Sequence, residues 1–246
     1  MMSTNEKKVA IVTGASRGIG RAAAERLARD GFAVIINYAS SDAAAREAVN
    51  AITATGGDVK AFKADIANET QVEALFDFTE QEFGGVDVTV NCAGIMITKP
   101  VVDFTVEEFD RMHAINVRGT FLVSREAARR MRAGGAIINI STAAERQAMP
   151  AYGPYAMSKD AVEGLNLILA RELKGRDITV NTVGPGPVAT ELFLNGKDEA
   201  LVERIASFNP FNRIGQPPEI AEVISFLAGS ARWINGQTIY VNGGMN

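Results

Sequence analysis

The stretch YGPYAMSK, residues 152–159, places two tyrosines near one lysine. On a helix, residues four apart share a face, so Tyr155 would face Lys159, whereas Tyr152 lies seven positions away, at or before the helix start. A phenol has a pKa near 10, and lowering it by about 3 units requires about 4 kcal/mol. One ammonium about 4 Å away supplies that much at an effective dielectric of about 20. Tyr155 is therefore the candidate acid-base catalyst, Lys159 its activator, and Tyr152 a residue that lines or packs the pocket.

Two hydroxyl side chains precede this helix. Ser141 and Thr142 follow the apolar run AIINI, at the predicted end of a strand, where either hydroxyl would hold a substrate carbonyl oxygen beside Tyr155. Serine and threonine are common at strand ends, so without the tyrosine they would be structural. The alternative interpretation of the whole set is a packed tyrosine with an unshifted pKa beside a solvated lysine.

A glycine-rich turn follows the first predicted strand. The stretch TGASRGIGRAAAERLA has glycines at positions 14, 18 and 20 and opens a helix. Glycine allows tight turns and close backbone approach, and the helix N-terminus directs free amides and a positive dipole end at a phosphate. After a strand and before a helix, this pattern predicts a dinucleotide site.

The end of the second predicted strand, IINYASS, bears on which dinucleotide binds. A fold that prefers NAD usually presents a carboxylate there to the adenosine ribose, and this chain has Tyr38 instead. Nothing there repels a 2'-phosphate, and Arg17 would pair with it, with Ser40 and Ser41 as hydroxyl donors. The sequence therefore favours NADP(H). The alternative is that Arg17 is only a solvated surface charge.

Along the chain, short apolar segments rich in β-branched residues alternate with longer amphipathic segments. The runs are KVAIVTG, FAVIINY, DVKAFKAD, VDVTVNCAG, GAIINIST, DITVNTVGPG and GQTIYVNGG. This pattern predicts a single-domain α/β Rossmann fold over 1–246, a doubly wound parallel sheet of about seven strands with helices on both faces. The ligand then lies at the carboxyl ends of the strands, where all the motifs above fall.

The proline-rich stretch 184–218 is the one irregular region. A long insertion at a carboxyl strand end predicts a substrate lid, and a surface excursion is the alternative.

Composition excludes several classes of function. The net charge of -4, without a Lys/Arg-rich block, argues against nucleic acid, and the lack of a long apolar run argues against a membrane span. The chain has one cysteine, Cys92, predicted to be a core residue, and one histidine, His113, predicted to be on a helix. A metal site and a Ser-His-Asp hydrolase are thus disfavoured, and we expect a soluble, cytoplasmic protein.

Together, TGASRGIG, NCAG, Asn116, YAMSK and PGPVAT resemble the short-chain dehydrogenase/reductase family over essentially the whole chain. The resemblance implies that Tyr155 exchanges the substrate proton, that Lys159 lowers its pKa and binds the nicotinamide ribose, and that Asn116 sustains a proton-relay water chain. With Thr142 these form the expected catalytic set, and Ser141, Thr142, Tyr152 and Tyr155 the substrate set. The implied cofactor-binding residues are Gly14, Ser16, Arg17, Gly18, Ile19, Gly20, Tyr38, Ser40, Asp65, Ile66, Asn91, Ala93, Gly94, Tyr155, Lys159, Pro185, Gly186, Val188 and Thr190.

The sequence departs from the family pattern at two places. Thr142 stands where relatives have a serine, thirteen residues before the tyrosine, so either Thr142 or Ser141 would bind the carbonyl. Cys92 stands at the second position of the usual Asn-Asn-Ala-Gly turn.

The resemblance implies an NADP(H)-dependent oxidoreductase for a carbonyl or secondary alcohol, close to 3-oxoacyl-carrier-protein reductases. Arg132 and Arg176 match the positions of carrier-docking basic residues, although Ala133 beside them is uncharged. A homotetramer is also implied. The alternatives are a sugar or polyol dehydrogenase, or a dinucleotide-sensing protein without turnover; a dehydratase or epimerase would need a further acid or base.

Overall fold

The computed structural model describes residues 7–245. Seven parallel strands form one sheet in the order β3-β2-β1-β4-β5-β6-β7. They are β1 (Val9–Thr13), β2 (Ala33–Tyr38), β3 (Asp58–Lys63), β4 (Val88–Asn91), β5 (Ala136–Ile140), β6 (Thr179–Pro185) and β7 (Thr238–Val241). The strand order reverses between β1 and β4, which is where a doubly wound sheet opens a crevice for a ligand. The fold class predicted from the alternating pattern is confirmed.

Helices cover both faces of the sheet. They are α1 (Gly18–Arg29), α2 (Asp42–Ala54), α3 (Glu69–Phe83), α4 (Val106–His113), α5 (Thr120–Arg130), α6 (Ala144–Gln147), α7 (Gly153–Glu172), α8 (Glu191–Leu194), α9 (Glu199–Ala206) and α10 (Pro217–Ala228). The helix α3 ends at Gly84 with φ of +81°, the left-handed cap that glycine supplies without steric cost.

The central strands are apolar on successive residues because both of their faces are covered. In β1, Val12 packs into a core shared with α1 and α10, whereas its neighbour Ile11 packs into the opposite core with α3 and α5. The edge strand β3 is largely exposed, which matches its polar sequence DVKAFK.

The helical segment between β4 and β5 is not one regular α-helix. Between α4 and α5, residues Ala114–Gly119 form a π-helical turn. Such turns widen the backbone locally and occur frequently at functional sites. Asn116 lies within this turn, so the irregularity places that side chain.

The stretch 184–218 is more ordered than the sequence suggested. It contains the end of β6, the helices α8 and α9, and the start of α10, and a parallel bridge joins Val188 to Gly215. The helix α10 begins with Pro217 and Pro218 at its first two positions. Proline is favoured at the first helical turn, so the two prolines that we counted with the irregular stretch start a helix.

Candidate active site

A cleft of about 660 Å³ lies at the carboxyl ends of the strands, around the point where the strand order reverses. It brings together most of the residues that the sequence predicted, from turns that are far apart in the chain. On the cofactor side these are Gly14, Ser16, Arg17, Gly18, Ile19, Gly20, Tyr38, Ser40, Asp65, Ile66, Ala93, Gly94, Pro185, Gly186, Val188 and Thr190. On the catalytic side they are Ser141, Thr142, Tyr152, Tyr155 and Lys159.

The glycine turn packs too closely for a side chain. Gly14 has a φ of +62°, and a Cβ there would lie 2.7 Å from Ala93 Cα. A Cβ on Gly20 would lie 2.5 Å from the Gly14 carbonyl oxygen. The helix α1 begins at Gly18, and Arg17 does not cap it with its side chain, so its first amides are available to an anion. The turn therefore fits a dinucleotide phosphate.

At the far end of the cleft, Arg17 and Ser41 meet. The Arg17 Nη2 donates to Ser41 Oγ at 3.0 Å, and Nη1 forms a 2.6 Å ion pair with Glu191 at the start of α8. Tyr38, at the end of β2, donates its hydroxyl to Asp42 at 3.0 Å. A guanidinium and a hydroxyl thus stand together next to the strand end where the sequence predicted a 2'-phosphate. Their pairing fits that group.

Tyr155 lies in the first turn of α7 and is 7% exposed. Burial raises the pKa of Tyr155 to about 12, and a hydrogen bond with Thr142 opposes the rise. Tyr152 is the residue that precedes α7, and its ring meets that of Tyr155 edge-on at 6.3 Å. The predicted placement of both tyrosines at the start of this helix is confirmed.

Lys159 is buried one helical turn further on and donates to the Ile140 carbonyl oxygen at 2.9 Å. Burial lowers the pKa of Lys159 to about 8. We expected Lys159 to lower the pKa of Tyr155, but burial raises that pKa more than the hydrogen bond with Thr142 lowers it. The pKa expected from the spacing includes the attraction of the ammonium for the phenolate but not the cost of desolvating the phenolate, which burial adds.

Ser141 and Thr142 face different partners. The Ser141 hydroxyl donates to Glu163 Oε1 at 2.7 Å and lies 3.4 Å from the Lys159 carbonyl oxygen. The Thr142 hydroxyl accepts from the Ala144 amide at 3.2 Å and hydrogen-bonds with Tyr155. The hydroxyl nearest the candidate acid is therefore that of Thr142.

Asn116 is fully buried in the π-helical turn and does not line the cleft itself. Its amide pairs in both directions with the Ile95 backbone at 2.9 Å and donates to Ser158 Oγ at 3.0 Å. Ile95 does line the cleft, so Asn116 fixes one wall to α7.

Asn91, predicted to bind the cofactor, has its side chain in the core. The structure does not bring it into the cleft: its side chain is buried and donates to Asn139 at 2.8 Å and to Ser124 at 3.2 Å. Asn91 is the last residue of β4, where alternate side chains point to opposite faces, and its side chain faces neighbouring elements of the core. The next three residues, 92–94, reach the cleft.

Two further predicted residues behave as core or helix residues. Burial raises the pKa of Cys92 to about 12, so its thiol stays neutral although it borders the cleft. His113 hydrogen-bonds with the Phe109 carbonyl oxygen at 2.9 Å and stacks on the Phe109 ring.

Residues 7–245 contain no group of three or more His, Cys, Asp or Glu side chains placed to share a metal ion. Over the same residues, the helices lack the combined length and apolar character needed to cross a membrane.

Sequence reasoning placed a substrate lid at 184–218 but did not name the individual residues that close the cleft on its substrate side. They are Met96, Thr98, Gln147, Met149, Leu192, Phe193, Asn195 and Lys197. All belong to loops or short helices, where no periodic pattern marks the buried positions. Their sequence signal is that these loops follow β4, β5 and β6, whose carboxyl ends border the cleft.

A sequence model of the family described as Enoyl-(Acyl carrier protein) reductase matches residues 14–246. The chain is 46% identical to a short-chain type dehydrogenase/reductase from Picea abies, over 96% of this chain and 92% of that protein. The chain belongs to the short-chain dehydrogenase/reductase family. It is 44% identical to an NADPH-dependent aldehyde reductase-like protein, chloroplastic, from Arabidopsis thaliana, over 96% of this chain and 93% of that one.

A solved short chain dehydrogenase from Burkholderia cenocepacia J2315, in complex with NADP, superimposes with a TM-score of 0.91 at 35% identity, over 99% of this chain and 100% of that one. As a short-chain dehydrogenase/reductase, the protein is an oxidoreductase that interconverts CH–OH and carbonyl groups. The cofactor named for these two relatives agrees with the NADP(H) prediction.

Proposed function

We propose that the protein reduces aldehydes or ketones with NADPH, and that Tyr155 is the proton donor. The observation that supports this most is that the buried Tyr155 and Thr142 line the same cleft as the glycine turn and the Arg17–Ser41 pair. One cleft thus holds the groups for a dinucleotide and the groups for a carbonyl.

The glycine turn and the free amides at the N-terminus of α1 would hold the pyrophosphate of the cofactor, and Arg17 and Ser41 would hold its 2'-phosphate. Three features support NADPH: the lack of a carboxylate at Tyr38, the Arg17–Ser41 contact and the relatives' named cofactor. Pro185 ends β6, and Gly186, Val188 and Thr190 follow it; all four line the cleft, and we infer that they would hold the nicotinamide. When bound, NADPH supplies a hydride to the carbonyl carbon.

The residues of the chain supply the proton and the geometry. Thr142 donates a hydrogen bond to the carbonyl oxygen, and Tyr155 releases its proton to that oxygen as the carbon accepts hydride. A high pKa suits this direction, since the donor must remain protonated until transfer. Lys159, held by the Ile140 carbonyl, places its cation where the tyrosinate forms, and Asn116 keeps α7 and the Ile95 wall in register.

The substrate side favours a free carbonyl compound with an apolar body. Met96, Met149, Leu192 and Phe193 provide apolar surface, and Thr98, Gln147, Asn195 and Lys197 are the polar groups among them. A sugar or polyol would need several convergent donors and acceptors, so it is the less favoured alternative.

Docking of an acyl carrier protein is also less favoured. Arg132 bonds with Asp87, with one contact at 2.9 Å, and Arg176 donates to the Ala128 and Met131 carbonyl oxygens at 2.9 and 3.0 Å. Arg132 thus bonds a carboxylate of this chain, and Arg176 bonds backbone carbonyl oxygens of this chain, so both have roles within the fold.

We also propose a lid, an oligomeric state and a compartment for the protein. The stretch 184–218 is the substrate lid, and the Arg17–Glu191 ion pair supports its closing over the cofactor. The protein is a homotetramer, supported by the exposed apolar side chains Phe121, Leu167, Ile168 and Trp233. It works in a reducing compartment such as the cytoplasm, in line with its single cysteine.

The test is NADPH oxidation with 4-nitrobenzaldehyde, hexanal and acetophenone, with acetoacetyl-coenzyme A as a carrier mimic and NADP⁺ plus glucose for the sugar alternative. We expect reduction of the aldehydes or the ketone, and loss of at least about a thousandfold in kcat for Tyr155→Phe with NADPH binding unchanged. Turnover of glucose alone, or NADPH binding without turnover of any of the five compounds, would contradict the proposal.

A further inference from the structure

Lys197 is a cation in the cleft that the proposed reaction does not use. It follows α8 and lines the cleft together with Leu192 and Phe193. Its ammonium has a defined position, because Nζ donates to the Phe193 carbonyl oxygen at 2.7 Å and lies 4.7 Å from the centre of the Phe193 ring. A lysine ammonium has three donors, so this one hydrogen bond leaves two of them for another partner.

Within residues 7–245, no carboxylate forms an ion pair with this ammonium. The next residue, Asp198, caps α9 instead and accepts the Leu201 amide at 2.8 Å. Lys197 is partly buried, and burial lowers its pKa without a nearby negative charge to oppose the change. An ammonium that loses water without gaining an opposite charge is held at a cost, and an anionic ligand would offset that cost.

The carboxylates that line the cleft have other partners. They are Asp65 and Glu191. Asp65 accepts the Ala67 amide at 2.9 Å, and Glu191 forms its ion pair with Arg17 at 2.6 Å. The negative charge that Lys197 lacks therefore has to come from a ligand.

The phosphates of the cofactor would be held at the other end of α8. The start of α8 adjoins the glycine turn: a Cβ on Gly18 would lie 3.3 Å from the Thr190 side chain, and Glu191 pairs with Arg17. Lys197 stands beyond the last residue of this helix. The glycine turn and Arg17 serve the phosphates, which leaves Lys197 for the substrate.

We propose that Lys197 binds a carboxylate of the substrate, so that the preferred substrates are aldehydes or ketones with an apolar body and a carboxylate at its far end. This rests on the proposed function, since it names the class of carbonyl compound that the cleft takes. Leu192 and Phe193 provide apolar surface for the body, and the ammonium orients it through the charge. The carboxylate takes no part in the reaction: the carbonyl carbon gains hydride, its oxygen gains a proton, and NADPH becomes NADP⁺.

The test compares 4-formylbenzoate with its uncharged ester, methyl 4-formylbenzoate, as substrates with NADPH. In the wild type we expect the lower KM for the carboxylate. Lys197→Gln raises that KM about tenfold or more and leaves the KM of the ester within about twofold, because the carboxylate alone loses a charged partner. Lys197→Arg keeps the cation and retains most of the preference. Lys174→Gln, at an exposed lysine after α7, is the matched control and leaves both KM values unchanged.

Three results would overturn the inference. Equal KM values for the two aldehydes in the wild type would show that the cleft does not select the charge. Equal changes for both aldehydes in Lys197→Gln would mean that Lys197 only holds the Phe193 carbonyl oxygen at the end of α8. A weaker Kd for NADPH in Lys197→Gln, with the preference for the carboxylate intact, would assign the ammonium to a phosphate of the cofactor.

A binding measurement separates this inference from the proposed function. 4-Acetylbenzoate is titrated by calorimetry into the NADP⁺ complexes of the wild type and Lys197→Gln, where no reduction can occur because NADP⁺ has no hydride to give. If no carbonyl compound is reduced in any assay, the proposed function fails, and the titration still decides the role of Lys197. A Kd about tenfold weaker in Lys197→Gln supports the carboxylate site, whereas equal Kd values, or no binding to the wild-type complex, would overturn it.

Discussion

The choice of NADPH depends on Arg17, and replacing it with alanine tests that dependence. Arg17 pairs with Ser41 and Glu191, and its side chain is 51% exposed. A hydrogen bond to a charged group contributes about 1.5–3 kcal/mol, and exposure favours the lower end of that range. At about 1.5–2 kcal/mol, Arg17→Ala weakens NADPH binding by about 10–30-fold. NADH has no 2'-phosphate, so its affinity changes by less than about threefold.

The assay is titration of nucleotide fluorescence, which reports Kd for NADPH and NADH without turnover. Arg21→Ala is the matched control, because Arg21 lies one turn further along α1 and pairs with Glu25 at 2.8 Å. Glu191→Gln is the opposite perturbation: it frees Arg17 from its ion pair, and we expect NADPH to bind a few-fold tighter. Equal losses of NADPH and NADH affinity in Arg17→Ala would refute the 2'-phosphate role, since they would mean that Arg17 acts on a part common to both cofactors.

Two further predictions concern the catalytic side. Thr142→Val removes the hydroxyl at similar volume and should lower kcat by about a hundredfold. Thr142→Ser and Ser141→Ala should stay within about tenfold of wild type in kcat. If steady-state kinetics give a lower kcat for Ser141→Ala than for Thr142→Val, Ser141 and not Thr142 binds the carbonyl oxygen. Burial lowers the pKa of Lys159 from 10.5 to about 8 in the folded protein. Between these pH values the unfolded chain binds more protons than the folded protein, so stability is lost as the pH falls. We expect the free energy of unfolding of the wild type to rise by up to about 3 kcal/mol from about pH 8 to about pH 10.5. Denaturant titrations of Lys159→Met should show that rise removed, and a wild-type slope in this variant would show that Lys159 is not desolvated.

The fold followed from the sequence because its signals are local and repeated. Each buried strand is a run of β-branched residues, and several helices end in glycine before the next strand, so all seven strands were located. The π-helical turn around Asn116 was not predicted, because it depends on packing against α7 and on the Ile95 backbone rather than on a sequence period. The start of α10 was counted with the irregular stretch 184–218, because its two prolines stand in its first turn.

The motifs located the glycine turn and the Tyr155–Lys159 pair, because the residues of each lie close together in the sequence, within one turn or one helix. The sequence did not reveal how far burial offsets charge in setting the pKa of Tyr155. The direction of the Tyr155 pKa shift is set mainly by burial, which the spacing of Tyr155 and Lys159 does not encode. Similarly, the choice between Ser141 and Thr142 depends on Glu163, which lies on another element.

The measurement that tests the central claim most directly is a crystal structure with NADP⁺ and a bound alcohol or ketone. We predict the nicotinamide ring over Lys159, with the substrate oxygen within about 3 Å of both the Tyr155 and Thr142 hydroxyls and its carbon about 3–3.5 Å from the hydride-bearing position of the ring. A nicotinamide bound elsewhere in the cleft, or a Tyr155 hydroxyl that points away from the substrate oxygen, would contradict the account.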